Sequence, residues 1–273
     1  MEQLRAELAR SEQRVADMAA AHQEFLRAVS HDLRAPLRHF TSYGTLVRET
    51  LADLPPPVAT GAEVQEALGF LATMDHSARR MGLMVDGLQA LAHASHAPLR
   101  LQPVPLADAL ARARSALAQA EAGRGVDWSI APDLPTLQAD PALLHELLVQ
   151  LLGNALKFTR GSTRVPCIAV QASGTVDVDA GNASAAGGGG VPVQTAAQRH
   201  VAFTVTDNGA GFDNARAAQL FGVFQRLHRE SEFDGVGAGL ALCRAIAQRH
   251  GATITATAAV GAGCTVRVQW PGT

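Results

Sequence analysis

Nowhere does the chain offer an apolar run approaching the roughly 18 residues a helix needs to cross a bilayer, and no signal peptide is visible at its start. Its three cysteines, Cys167, Cys243 and Cys264, stand far apart without a CxxC spacing. That argues against a disulfide framework and predicts a reducing, cytoplasmic setting. A net charge of −2 gives no electrostatic case for nucleic acid or for contact with an anionic membrane surface. Tandem repeats are absent. The stretch around GNASAAGGGG has almost no large apolar side chain and cannot bury enough surface to offset its ordering entropy. Residues 172–198 are therefore expected to form a mobile insertion at a hairpin tip.

What is present suffices for two domains with real cores, since the chain has 273 residues. Residues 1–50 read as one long helix: Leu4, Leu8, Ser11, Val15, Met18, His22, Phe25 and Val29 follow a 4-3 spacing, the seam of a coiled coil. An amphipathic helix packed within one chain is the alternative. The Pro-rich segment after Leu54 breaks the helix. A second amphipathic run follows through Val64, Leu68, Leu71, Asp75, Ala78, Met81, Val85 and Leu88. Two such helices predict an α-helical hairpin whose open apolar face would be covered by doubling into a four-helix bundle, hence a homodimer.

Residues 98–105 read as a linker, and an α+β pattern begins after it. Helices are expected at 106–122, 141–158 and about 238–250. Asp140 caps the second of these, with Pro141 at its first position. Strands are expected at 126–130, 136–139, 164–171, 199–207, 253–257 and 264–270, with Gly261 and Gly263 turning the last pair.

Two glycine clusters stand at element boundaries. Asp207 closes the strand pattern VAFTVTD and is followed by Gly209 and Gly211, which brings a carboxylate and bare backbone toward a flat ligand. Gly235, Gly237 and Gly239 precede an apolar helix beginning near Leu240, so free backbone N–H groups and a helix N-terminus are available to a phosphate. Between the clusters lies the aromatic-basic segment LFGVFQRLHR.

His31 sits in SHDLRAPLR on the first helix, two residues past the seam position Val29 and thus about 200° round the helix from it. It should face solvent beside Asp32, and Pro36 should loosen or kink the helix one turn further on. An exposed imidazole whose other ring nitrogen is held by a carboxylate suits a nucleophile.

SHDLRAPLR resembles the phosphoacceptor box of two-component sensor histidine kinases, particularly the phytochrome-like and PAS-linked branch. HELLVQLLGNALKFT resembles their asparagine box, DNGAGF and GVGAGL their two glycine boxes, and LFGVFQRLH their phenylalanine box. The resemblance implies a coiled-coil helix over 1–20, a dimerisation and phosphotransfer domain over 21–97, and an ATP-binding catalytic domain of the gyrase and chaperone type over 106–273. It implies autophosphorylation of His31 from ATP and Mg2+, with transfer to the receiver domain of a response regulator. Asp32 would take a proton or hold the ring. Asn154 would be a magnesium ligand, Lys157 would neutralise phosphate, and Asp207 would accept from the exocyclic amine of adenine. Gly209 and Gly211 would admit base and ribose, Gly235, Gly237, Gly239 and Leu240 would hold the phosphates, and Phe221 and Phe224 would close over the site or pack the lid against the bundle. Arg226, His228 and Arg229 would add charge there, or be a solvated lid.

The chain departs from the family pattern at two places. The family usually carries Asn four residues before Asn154, where Gln150 stands here; Gln keeps the amide and adds a methylene. Ala35, four residues after the histidine, replaces the Thr or Asn that orients a water in kinases that also dephosphorylate their partner, which implies a kinase-dominant protein. An ATP hydrolase and a catalytically weak dimerisation scaffold stay open as alternatives. A hydrolase of the gyrase type, however, needs a carboxylate where Gln150 stands.

Overall fold

A computed structural model describes residues 2–161, 164–177, 199–229 and 231–272. Two compact units divide the chain, one formed by Met1–Ala97 with Gly235–Ala238 and the other by Pro98–Asp234 with Gly239–Thr273. In the first unit α1 (Glu2–Ala52) is joined through the single turn α2 (Pro56–Ala59) to α3 (Ala62–His96). The helix α1 remains helical through Pro36. The side chains of the expected seam before Val29 lie outside the described residues.

Ala78, Val85, Ala92 and Ala94 of α3 are buried. Arg34 crosses from α1 to α3, donating to Asp86 at 2.7 Å and to Gln89 at 2.5 Å. Other apolar side chains of the hairpin stay uncovered, including Phe40, Tyr43, Leu46, Val47, Phe70 and Met74.

The second unit is an α+β sandwich. Its elements in order are β1 (Gln102–Pro105), α4 (Leu106–Ala116), α5 (Ala118–Glu121), β2 (Asp127–Ile130), β3 (Thr136–Ala139), α6 (Pro141–Phe158), β4 (Cys167–Asp177), β5 (Arg199–Asp207), a 3-10 segment (Asn214–Phe221), α7 (Gly239–Arg249), β6 (Thr253–Ala259) and β7 (Gly263–Pro271). The main sheet runs β2-β4-β5-β7-β6. Only the β2–β4 pair is parallel; β4–β5, β5–β7 and β6–β7 are antiparallel. The segment expected as a linker contains β1, which pairs with β3 in a second, two-stranded sheet. The expected helix 106–122 is interrupted between α4 and α5 at Leu117. Residues 178–198, the body of the expected insertion, lie outside the described residues.

One face of α6 is a continuous leucine stripe. Leu144, Leu147, Leu148, Leu151, Leu152 and Leu156 are each at most 2% exposed. They share the core with Ile168 and Val170 of β4, Phe203 and Val205 of β5, Ile246 of α7 and Val268 of β7. The start of α6 is secured as expected: the Asp140 carboxylate accepts from the N–H groups of Ala142 and Leu143, and also from Arg100. Burial pushes the Asp140 carboxyl up, but those three donors outweigh it and hold it below the ordinary range.

Candidate functional site

On β5, side chains alternate between the two faces of the sheet, and Phe203, Val205 and Asp207 share the face that carries the core. Asp207 is the last residue of that series, paired across the sheet with Ile168 on one side and Cys264 on the other. Alternation alone thus carries its carboxylate inward, and it is 8% exposed. Burial raises its pKa to about 6, against the opposing N–H groups of Gly209 and Cys264. Gly209 donates to Oδ1 at 2.9 Å. Cys264 is pushed up to about 12 by burial and by the neighbouring Asp207.

The loop after Asp207 is braced from three sides. Asn208 accepts from the Cys167 N–H at 2.9 Å and donates to the Val165 carbonyl at 2.8 Å. The Ala210 N–H donates to the carbonyl of Phe158 at the end of α6. A Cβ on Gly209 would come within 2.5 Å of that same carbonyl oxygen. Gly211, at φ 61°, would collide with the Ala259 carbonyl. The domain's own backbone thus already requires glycine at both positions.

A polar stripe runs along α6 beside the leucines: Glu146, Gln150, Asn154 and Lys157 follow one another at i+4, i+4 and i+3 and so share a helix side. All four are half-buried. Gln150 Nε2 donates to Glu146 Oε1 at 2.8 Å. A Cβ added to Gly239, the first residue of α7, would lie 2.5 Å from Gln150 Oε1 and 3.9 Å from Asn154 Nδ2. Two side-chain amides therefore meet at a helix N-terminus that glycine leaves open.

The Lys157 ammonium sits 4.5 Å from the Phe158 ring centroid. Burial lowers its pKa, Arg226 and Arg160 reinforce that, and Asp234 opposes it. Phe158 in turn stacks with His228 at 5.3 Å and Phe233 at 4.9 Å. Arg226 donates to the Phe233 carbonyl at 2.5 Å.

Of the expected lid phenylalanines, Phe221 is buried in a cluster with Phe212 and Ala256, against which Leu240 also packs. Phe224 is half-buried and, among the described residues, is the sole non-glycine with positive φ, at 60°. That backbone is uncommon for a bulky side chain. Gly235 and Gly237, with φ of 113° and 77°, also require glycine.

In the helical unit His31 and Asp32 are 85% and 81% exposed, and His31 Nδ1 lies 3.2 Å from Asp32 Oδ1. Nε2 has no hydrogen-bonding partner among the described residues.

The structure brings together Gln150, Asn154 and Gly239, and separately Asp207, Gly209 and Cys264. Sequence reasoning singled out neither Cys264 nor Phe158 and Phe233. The position of Cys264 just after the turn glycines was a signal. The aromatic seat of the lid had none.

Among the described residues no three His, Cys, Asp or Glu side chains converge as a metal site. A divalent ion here would draw on amide and phosphate oxygens, and Gln150 Oε1 beside Gly239 is a hard donor that fits that demand, whereas Asn154 turns its Nδ2 to the same space.

Residues 139–273 match the family described as "Histidine kinase-, DNA gyrase B-, and HSP90-like ATPase". The chain is 28% identical over 242 residues to cyanobacterial phytochrome A of Nostoc sp., covering 89% of this chain and 27% of that protein. It is 31% identical over 253 residues to the sensor histidine kinase TrcS of Mycobacterium tuberculosis, covering 91% and 43% respectively. Among solved structures, full-length ShkA in complex with AMPPNP has a TM-score of 0.57 at 23% identity, covering 91% of this chain and 45% of that one, a likeness of fold alone. The second unit thus carries the ATPase fold common to histidine kinases, gyrase B and HSP90. Residues 139–273 belong to that ATPase family, and along most of its length the chain is similar to two-component sensor histidine kinases. It spans between 27% and 53% of the length of the first curated relatives it matches. Among the described residues no helix is long and apolar enough to cross a membrane.

Proposed function

We propose that this chain is an ATP-dependent protein histidine kinase that phosphorylates itself on His31 and donates that phosphoryl group to an aspartate of a response-regulator receiver domain. The observation that carries the reading is the exposed His31–Asp32 pair. With Nδ1 held by Asp32, the Nε2 lone pair is directed outward for attack on the γ-phosphorus. The new N–P bond forms as the bond to the β-phosphate oxygen breaks, and ADP leaves. Asp32 balances the imidazolium charge that develops. In the second step the receiver carboxylate attacks phosphorus and the N–P bond returns its electrons to the ring.

ATP would lie along the open end of the sheet in the second unit. Asp207, ionised above its pKa of about 6, accepts from the exocyclic amine of adenine and selects against guanine. Gly209 and Gly211 keep backbone close to base and ribose. Lys157 neutralises phosphate charge, Gly235, Gly237 and Gly239 present N–H groups to the phosphates, Leu240 follows them, and Phe224 closes the lid. Asn154 would hold Mg2+, which would supply neutralisation of the phosphate charge.

Exposed Phe40, Tyr43, Leu46 and Phe70 support a homodimer in which two hairpins form a four-helix bundle. The domain assignments 1–20, 21–97 and 106–273 belong to the same reading, as does a cytoplasmic location.

The test is incubation with γ-labelled ATP. Acid-labile, base-stable label is expected on the wild type and none on His31→Ala, whose nucleotide affinity stays nearly unchanged. Label persisting on His31→Ala would overturn the acceptor. ATP consumption without any protein label would favour the hydrolase.

A further inference from the structure

Gln150 has a side-chain amide with two unlike ends, and which end faces the α7 N-terminus decides what that surface can bind. A donor NH2 would repel a cation and an acceptor oxygen would attract it. The amide's orientation is not left to its own torsions. The Glu146 carboxylate, one turn earlier on α6, has only acceptor oxygens when ionised, and Gln150 Nε2 donates to it at 2.8 Å. The NH2 end is thereby committed to Glu146, and Oε1 is the end beside Gly239, in the space that a Cβ there would fill. Asn154 approaches the same space with its Nδ2, at 3.9 Å, so the acceptor end presented there is that of Gln150.

We infer that Glu146 is a positioning residue which turns the Gln150 amide so that its oxygen serves a nucleotide-bound divalent cation. The inference rests on the ATP-binding reading above. It assigns Gln150 as a hard donor and explains how a longer side chain is held in one geometry: the Glu146 bond removes the torsional freedom that the extra methylene adds. Outer partners that orient metal ligands typically control about 10- to 100-fold of metal affinity.

The experiment measures, by calorimetry on the full chain, affinity for a non-hydrolysable ATP analogue with excess Mg2+ and again with EDTA. The ratio of the two affinities is the readout. Wild type is expected to bind more tightly with Mg2+. Glu146→Leu is expected to lower that ratio about tenfold, while its EDTA affinity stays within about twofold. Glu146→Gln, whose own oxygen can accept from Gln150, should keep most of the ratio.

Gln150→Asn provides the control, because the shorter side chain does not reach Glu146. On that background Glu146→Leu should change nothing further. A Glu146→Leu ratio equal to wild type would overturn the inference. So would equal losses with Mg2+ and with EDTA, which denote a merely structural role. Absence of any Mg2+ effect in wild type would instead sink the ATP–Mg2+ reading on which the inference stands.

Discussion

His250 Nε2 accepts the backbone N–H of Asp140 at 3.0 Å, joining the end of α7 to the start of α6. Its Nδ1 lies 2.8 Å from the Ile246 carbonyl, which can only accept, so Nδ1 carries the proton and the ring is neutral. The ring also stacks on Trp270 at 4.7 Å. Protonating Nε2 would set two hydrogens against each other. Burial lowers the His250 pKa, with Arg249 assisting, while the Ile246 carbonyl and the Asp140 carboxylate oppose it.

A depressed histidine pKa means that the unfolded chain takes up the proton first. Stability from this contact is complete above the ordinary imidazole range and is lost as pH falls below it. His250→Phe, which keeps the ring stack but orphans a buried N–H, should cost about 1–3 kcal/mol at neutral pH. That deficit should shrink on acidification. Denaturant unfolding of both proteins across the acidic range measures it, and a constant deficit would refute the tautomer assignment.

Asp207 has the opposite sign. Its folded pKa is raised to about 6 from 3.8, so the ionised form is disfavoured in the nucleotide-free fold. Stability should therefore fall as pH rises through that interval. Relative to Asp207→Asn, which does not titrate, wild type should lose about 2 kcal/mol between roughly pH 4.5 and about pH 7.5. ATP should restore the wild type only, because the substitution should weaken ATP binding by about tenfold or more. Parallel pH profiles, or unchanged ATP affinity by calorimetry, would contradict the assignment.

Gly211→Ala tests the loop that follows. A Cβ there must be accommodated at φ 61° against the Ala259 carbonyl. Destabilisation of about 2 kcal/mol or more is expected, from strain and backbone displacement together. Gly261→Ala meets positive φ without a close neighbour and should cost about 1 kcal/mol. Thermal melts of the two variants should rank in that order.

Ala35 yields a prediction about partner dephosphorylation. A methyl group cannot orient the water that would attack a phosphorylated aspartate, so wild type should leave a phosphorylated receiver nearly as long-lived as it is alone. Ala35→Thr or Ala35→Asn should accelerate its decay, at a helix-propensity cost of only about 0.5–0.7 kcal/mol. Decay of purified phosphoreceiver with ADP present decides it. Fast decay with Ala35 in place would remove the kinase-dominant reading.

Local chemistry made much of this molecule legible in the chain itself. The 3.6-residue leucine period and the Asp140-Pro141 start define α6 as it is observed, Pro141–Phe158. The two-residue alternation ending at Asp207 defines β5 and already puts that carboxylate on the core face. Such features depend on neighbours within a few residues, which the sequence displays directly. Long-range juxtapositions have no such signature. The β1–β3 pair inside an expected linker, Cys264 opposite Asp207, Phe158 beneath His228 and Phe233, and His250 against Asp140 join residues far apart along the chain. Whether Gln150 was a defect or a ligand was equally undecidable from its identity alone. An amide has two chemically opposite ends, and only the folded position of Glu146 and Gly239 selects which end each of them meets.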